Sequence, residues 1–95
     1  MTQERAYQIA TEVVFKLDED GYWERWELVR QSAELAKSIQ DAAFFQRMYP
    51  LKDWYERINQ EINELKADGY DDDDGYMLEL KELLEMLDEW EEEAV

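Results

Sequence analysis

The chain has 95 residues, and its 26 acidic side chains outnumber 10 basic ones, giving a formal net charge of −16. It contains no cysteine and no histidine, which excludes disulfide frameworks, thiol nucleophiles, Ser-His-Asp triads and metal sites built on imidazole or thiolate ligands. The negative charge also argues against direct binding to nucleic acid or to an anionic membrane, because phosphate contacts need Lys and Arg.

Length and hydrophobic content predict one small folded domain covering residues 1–95. Hydrophobic residues make up 45% of the chain and aromatic residues 14%, whereas disordered acidic chains are poor in both. The polar N-terminal residues do not resemble a signal peptide, and no apolar run is long enough to span a bilayer. We therefore expect a soluble, cytoplasmic protein.

The first helix is predicted from about Thr2 to Leu17, because apolar residues recur there at spacings of three and four. Thr2 is its predicted N-cap. The residues of its apolar stripe are Ala6, Ile9, Ala10, Val13, Val14 and Leu17. The turn predicted to follow, from Asp18, ends at Gly21, which can adopt a positive φ.

A second helical segment is predicted from near Tyr22. Its expected buried stripe consists of Tyr22, Trp26, Val29, Ala33 and Ala36, widened by Leu28, Leu35 and Ile39. An uninterrupted helix reaching Met48 would exceed the usual length in globular proteins, so we favour a break near Ser38–Asp41 over a continuous helix. The helix must in either case end before Pro50.

Pro50 is expected in the first turn of a third helix, which Gly69 ends. An acidic connection from Tyr70 to Asp74 follows, and Asp73 or Asp74 caps a last helix running to about Glu93. Its predicted buried stripe is Met77, Leu80, Leu83, Leu84 and Leu87, with Trp90. No strand-like alternation occurs, so the predicted fold is all-α: a compact bundle of four or five amphipathic helices with short loops.

Most of the negative charge lies in the last quarter of the chain, since residues 70–95 carry −11 of the −16. On the last helix the acids fall opposite the leucine stripe, and like-charged pairs such as Glu85 and Glu89 cost about 0.2–0.5 kcal/mol each. This costly pattern predicts an anionic partner-binding surface; a face that only keeps the protein in solution is the alternative. The predicted partner-binding residues are Asp71, Asp72, Asp73, Asp74, Glu79, Glu82, Glu85, Asp88, Glu89, Glu92, Glu93 and Trp90.

Some aromatic side chains are candidates for contact with a partner, and two acidic loops resemble calcium-binding loops. Trp23, Phe44 or Phe45, and Trp90 are candidate exposed contacts, because Trp and Tyr are enriched at interface hot spots. The acidic loops around Gly21 and Gly75 fail as EF-hands, since Lys16 and Tyr70 occupy the first ligand position. We expect no metal, no cofactor and no catalytic residues.

A dense carboxylate face attracts proteins whose sites are rich in Lys and Arg, and the commonest such clefts bind nucleic acid. Through Asp71–Asp74 and the Glu79–Glu93 face, the chain resembles the small acidic helical inhibitors that bacteriophages encode against CRISPR and restriction systems, some of which imitate DNA. The resemblance implies a non-catalytic inhibitor in the host-cell cytoplasm, which occludes the nucleic-acid site of a nuclease or CRISPR effector.

Two other functions stay open. The chain is also similar to colicin-type immunity proteins, which are small acidic helical proteins that bind a cognate nuclease. The residues alone equally suit a helical interaction or assembly module, such as a homodimer, in which the aromatic side chains form the contact. In each case the expected partner is a protein, with no direct contact to nucleic acid or membrane.

Overall fold

The computed structural model describes residues 1–18 and 21–92, apart from the side chain of Glu92. Every regular element in this part of the chain is helical, which confirms the predicted all-α bundle. The four longer helices are α1 (Gln3–Leu17), α2 (Arg25–Phe45), α3 (Lys52–Ala67) and α4 (Gly75–Leu87). A 3₁₀ turn (Tyr49–Leu51) leads into α3, and a single helical turn, α5 (Glu89–Glu92), follows α4.

The helices pack as two hairpins around one core. Helix α1 lies against α2 and α3 lies against α4, while α1 also contacts α4 and α5 contacts α2. Arg5, near the start of α1, pairs with Glu89, whereas Lys16, near its end, pairs with Glu79, so α1 and α4 run antiparallel. Fully buried side chains come from α1, α2, the 3₁₀ turn, α3 and α4.

Helix α1 confirms the prediction, whereas Glu19 and Asp20 of the predicted turn lie outside the described residues. The Thr2 hydroxyl accepts a hydrogen bond from the backbone N–H of Arg5 at 3.1 Å, which caps the helix. The stripe from Ala6 to Val14 is buried. Beyond the helix, the Asp18 carboxylate accepts the backbone N–H groups of Tyr22 and Trp23 at 3.0 and 3.2 Å, and Gly21 has a φ of 69°.

The predicted break in the second segment is wrong, because α2 is continuous through Ser38–Asp41 for 21 residues. Ile39 and Ala42 continue the buried stripe across the expected break, so tertiary packing supports the helix there. The helix instead ends where Gln46 adopts a left-handed conformation with a φ of 54°, before Pro50.

The predicted stripe of α2 is also largely wrong. Its buried residues are Ser32, Leu35, Ala36, Ile39 and Ala42, while Tyr22, Trp26, Val29 and Ala33 are exposed. Apolar residues occupy most sides of this helix, so its own periodicity does not single out the face that meets the core. The side that contains Leu35 and Ile39, which was predicted only to widen the stripe, is the one that packs against the rest of the bundle.

The second hairpin follows the prediction except at two helix ends. Gly69 has a φ of 96°, and the backbone N–H of Tyr70 donates to the Leu65 carbonyl at 3.0 Å, an arrangement typical of a glycine-terminated helix. Pro50 lies in the 3₁₀ turn just before α3 and not in its first turn. The last helix stops at Leu87 and not near Glu93, because the chain turns at Asp88 before α5.

Ser32 is a buried polar residue whose hydroxyl finds no hydrogen-bond partner among the described residues. An unsatisfied buried hydroxyl destabilises the folded state, and Ala is the better helix former. We therefore expect Ser32→Ala to raise the free energy of unfolding, measured by urea denaturation, by about 0.5–1 kcal/mol. Ser38→Ala, at a half-buried position of α2, is the control; an equal gain there would contradict the explanation.

Candidate functional site

The acidic loop between α3 and α4 is folded by its own carboxylates. The Asp71 side chain accepts the backbone N–H of Asp73 at 3.1 Å, which holds the loop in a tight turn. The Asp74 side chain accepts the N–H of Tyr76 at 3.0 Å and that of Met77 at 3.4 Å, so Asp74 is the N-cap of α4. Asp74 is half-buried and serves the fold, whereas Asp71, Asp72 and Asp73 are exposed.

Lys81 holds this loop against the side of α4. Its ammonium donates to the Asp72 carboxylate at 3.2 Å, and this hydrogen bond is the main reason that the pKa of Asp72 is lowered. Lys81 is the single basic residue between positions 70 and 92. The ion pair places the exposed carboxylates of the loop beside the outward side of α4.

Glu82 and Glu85 lie on α4 opposite its buried stripe, as predicted, and both are exposed. Neither forms an ion pair with a described residue. They are one helical turn apart, so their charges repel each other across solvent. Together with Asp71 and Asp73 they form what we call the acidic surface.

Two further predicted residues are instead engaged by α1. Glu79 pairs with Lys16 at 3.3 Å. Glu89 accepts two hydrogen bonds from the Arg5 guanidinium, at 2.9 and 2.5 Å, and these lower the pKa of Glu89. Because Glu89 bridges α5 and α1, the expectation that it faces solvent with Glu82 and Glu85 is corrected: its partner is within the chain.

Trp90 is a core residue, which confirms its place in the predicted buried stripe of the last helix and corrects the expectation that it is an exposed contact. Its side chain is only 6% exposed, and its indole N–H donates to the Tyr55 hydroxyl oxygen at 3.2 Å. The Tyr55 hydroxyl in turn donates to the Asp88 carboxylate at 2.5 Å. Burial, followed by the hydrogen bond to Asp88, raises the pKa of Tyr55. Asp88 therefore stabilises the junction of α3, α4 and α5.

The remaining predicted acids lie at the end of the chain. Only the backbone of Glu92 is described, and Glu93 lies outside the described residues. Glu91, which the helical-wheel argument did not select, is exposed. Glu91 belongs to α5, a separate helical turn, so a wheel drawn for one continuous last helix does not describe it.

A second exposed region runs along α2, and sequence reasoning missed most of it. Its aromatic side chains are well exposed: 58% for Trp26, 80% for Phe44 and 60% for Phe45. Exposure of Phe44 or Phe45 was predicted and both are exposed, but Trp26 had been placed in the core. We define the outward face of α2 as Trp26, Arg30, Glu34, Lys37, Asp41, Phe44 and Phe45.

Trp23, the other predicted contact, is half-buried and packs against the core. The Arg57 guanidinium lies over its ring at 4.6 Å from the centroid, and it also approaches the Trp54 ring at 5.5 Å. The contact with Trp23 links the turn after α1 to α3. Trp23 therefore contributes chiefly to the packing between the two hairpins.

Comparison of the chain with protein-family models, with curated proteins and with solved structures gives no match. Across residues 1–18 and 21–92, no helix is both long enough and apolar enough to cross a bilayer. In the same part of the chain, no three acidic side chains are grouped in a way that could hold a metal ion.

Proposed function

We propose that this chain is a non-catalytic protein inhibitor that uses its acidic surface to bind and occlude a basic, nucleic-acid-binding site on a partner such as a nuclease or CRISPR effector. One observation supports the proposal above the others: Glu82 and Glu85 are exposed on a rigid helix without a neutralising cation among the described residues. The nearby Lys81 is paired with Asp72 instead.

The mechanism requires only charge and shape. A net charge of −16 accelerates encounter with a cationic cleft, because long-range attraction steers diffusion. Once docked, carboxylates on a fixed helix can pair with Arg and Lys side chains that otherwise hold phosphates. Nucleic acid and this chain then compete for the same cations, so binding of one excludes the other.

A helical assembly module is the second candidate, favoured by the exposed aromatic side chains of α2. The two functions differ in their response to salt. Binding through carboxylates weakens steeply as ionic strength rises, because added ions screen the exposed charges. Binding through aromatic side chains depends on burial of apolar surface and persists at high salt.

The test compares the protein with a charge-reversed variant, Glu82→Lys/Glu85→Lys. Each is immobilised, exposed to a bacterial lysate near 0.15 M salt, where the Debye length is about 8 Å, and washed with rising salt. Retained proteins are identified by mass spectrometry, and their binding to labelled DNA and RNA is measured with and without the chain. We expect the unmodified chain to retain a nucleic-acid-binding protein that the charge-reversed variant does not retain. We also expect the unmodified chain to displace nucleic acid from that protein.

The matched control is Glu56→Lys/Glu64→Lys, which makes the same change in net charge at exposed positions of α3. Exposed substitutions of this kind change stability by about 0.5 kcal/mol or less, so both variants should fold, which circular dichroism checks. Equal retention by the α4 variant and by the unmodified chain would refute the proposal. So would a captured protein that binds its nucleic acid equally well in the presence of the chain.

A further inference from the structure

The outward face of α2 presents aromatic side chains at both ends and charges between them. Trp26 lies in the first turn of the helix and Phe44 in the last, eighteen positions or five full turns later, so they share one side of the helix. The Arg30 guanidinium lies over the Trp26 ring at 5.7 Å from its centroid. The aromatic groups are thus exposed at the two ends of a surface about 27 Å long.

The charges between these ends alternate in sign. They are Arg30, Glu34, Lys37 and Asp41, of which the first three are exposed and Asp41 is half-buried. Their spacings would allow ion pairs within the helix, yet none forms an ion pair with any described residue. A partner that pairs with these four charges therefore has no ion pair between described residues to displace.

Their arrangement is antisymmetric about a point between Leu35 and Ala36. Arg30 and Asp41 are equidistant from that point, and so are Glu34 and Lys37. If a second α2 packs antiparallel with its two-fold axis at this point, every one of these charges faces its opposite. The same axis places Trp26 at the same level along the helices as Phe45 of the second copy.

We propose that two copies of this chain form a dimer through the outward faces of their α2 helices, packed antiparallel about this axis. In a two-fold interface the same face of the helix meets itself and each contact occurs twice. The charges at equivalent positions of this face must therefore be opposite in sign. A different partner would need complementary charges but no symmetry within this helix.

This dimer uses none of the residues of the acidic surface, so it stands or fails independently of the proposed function. The net charge of −16 on each copy opposes association at long range. At about 0.15 M salt the Debye length is about 8 Å, so repulsion between distant carboxylates is screened while contacts across the interface are retained. Association is therefore measured at that ionic strength.

The experiment uses sedimentation velocity on the full chain and on two single variants, Arg30→Glu and Asp41→Arg, over a wide concentration range. The unmodified chain should show a reversible dimer. Each variant alone places like charges together twice in the interface and should raise the Kd at least about tenfold. An equimolar mixture of the two variants restores both opposite-charge contacts, so it should associate where neither variant does alone.

Arg25→Glu is the control, because it makes the same change of charge on the same helix outside the outward face. It should leave the dimer intact. Heterodimerisation of the mixture also demonstrates that both variants are folded. Three results would each overturn the proposal. The unmodified chain could be a monomer at every concentration, the mixture of variants could fail to associate, or Arg25→Glu could impair the dimer as much as Arg30→Glu does.

Discussion

Replacing Trp90 by Ala should lower the free energy of unfolding by about 3–5 kcal/mol, the usual cost of truncating a buried tryptophan. The side chain is 6% exposed, and its removal leaves a cavity at the junction of α5 with the rest of the bundle. It also removes the donor to the Tyr55 hydroxyl. Small domains have about 5–15 kcal/mol of stability in total, so the change should be evident in urea denaturation at pH 7.

Trp26→Ala is the matched comparison, since it deletes the same side chain from a position that is 58% exposed. Its indole N–H donates to the exposed Glu24 carboxylate, a bond that water can replace. The expected change is about 0.5 kcal/mol or less at a protein concentration low enough to keep the chain monomeric. Similar losses for the two variants would contradict the different packing of these tryptophans.

Local signals predicted the start of α1 and the C-terminal end of α3 because the residues that determine them are close in sequence. The Thr2 hydroxyl caps α1 three residues away, and Gly69 ends α3 through its own backbone conformation. Each signal depends on one side chain or one φ angle. Such features do not require knowledge of what packs against the helix, so sequence alone suffices.

The orientation of α2 could not be predicted in this way. Both the predicted stripe through Trp26 and the observed stripe through Leu35 and Ile39 satisfy helical periodicity. Which one is buried depends on α1, α5 and the 3₁₀ turn that pack against it. The expectation of a break near Ser38–Asp41 failed for the same reason, because contacts from outside the segment stabilise a long helix.

The acidic surface was predicted in part, and the errors at Glu79 and Glu89 have one physical cause. Glu82 and Glu85 lie where a helical wheel places them, opposite Leu80 and Leu83. Glu89 does not, because its partner Arg5 is 84 residues away and only the folded chain brings them together. A pattern within one helix identifies which acids are on a face, but not which of them another helix has already neutralised.

The Asp71–Asp74 run combines structural and solvent-exposed carboxylates, and a second pair of variants separates them. Asp74→Ala removes the side chain that accepts the N–H groups of Tyr76 and Met77 at the start of α4. Loss of such a cap should lower the free energy of unfolding by about 0.5–2 kcal/mol, measured by urea denaturation.

Asp73→Ala is the control, because it removes the same charge from the adjacent exposed position. The Asp73 backbone N–H, which donates to Asp71, is retained in that variant, so the turn should persist. Relief of repulsion among the acids is nearly equal in the two variants, and the difference in their stabilities therefore measures the cap alone. Equal stabilities would mean that Asp74 is one more free carboxylate, available to a partner along with Asp71 and Asp73.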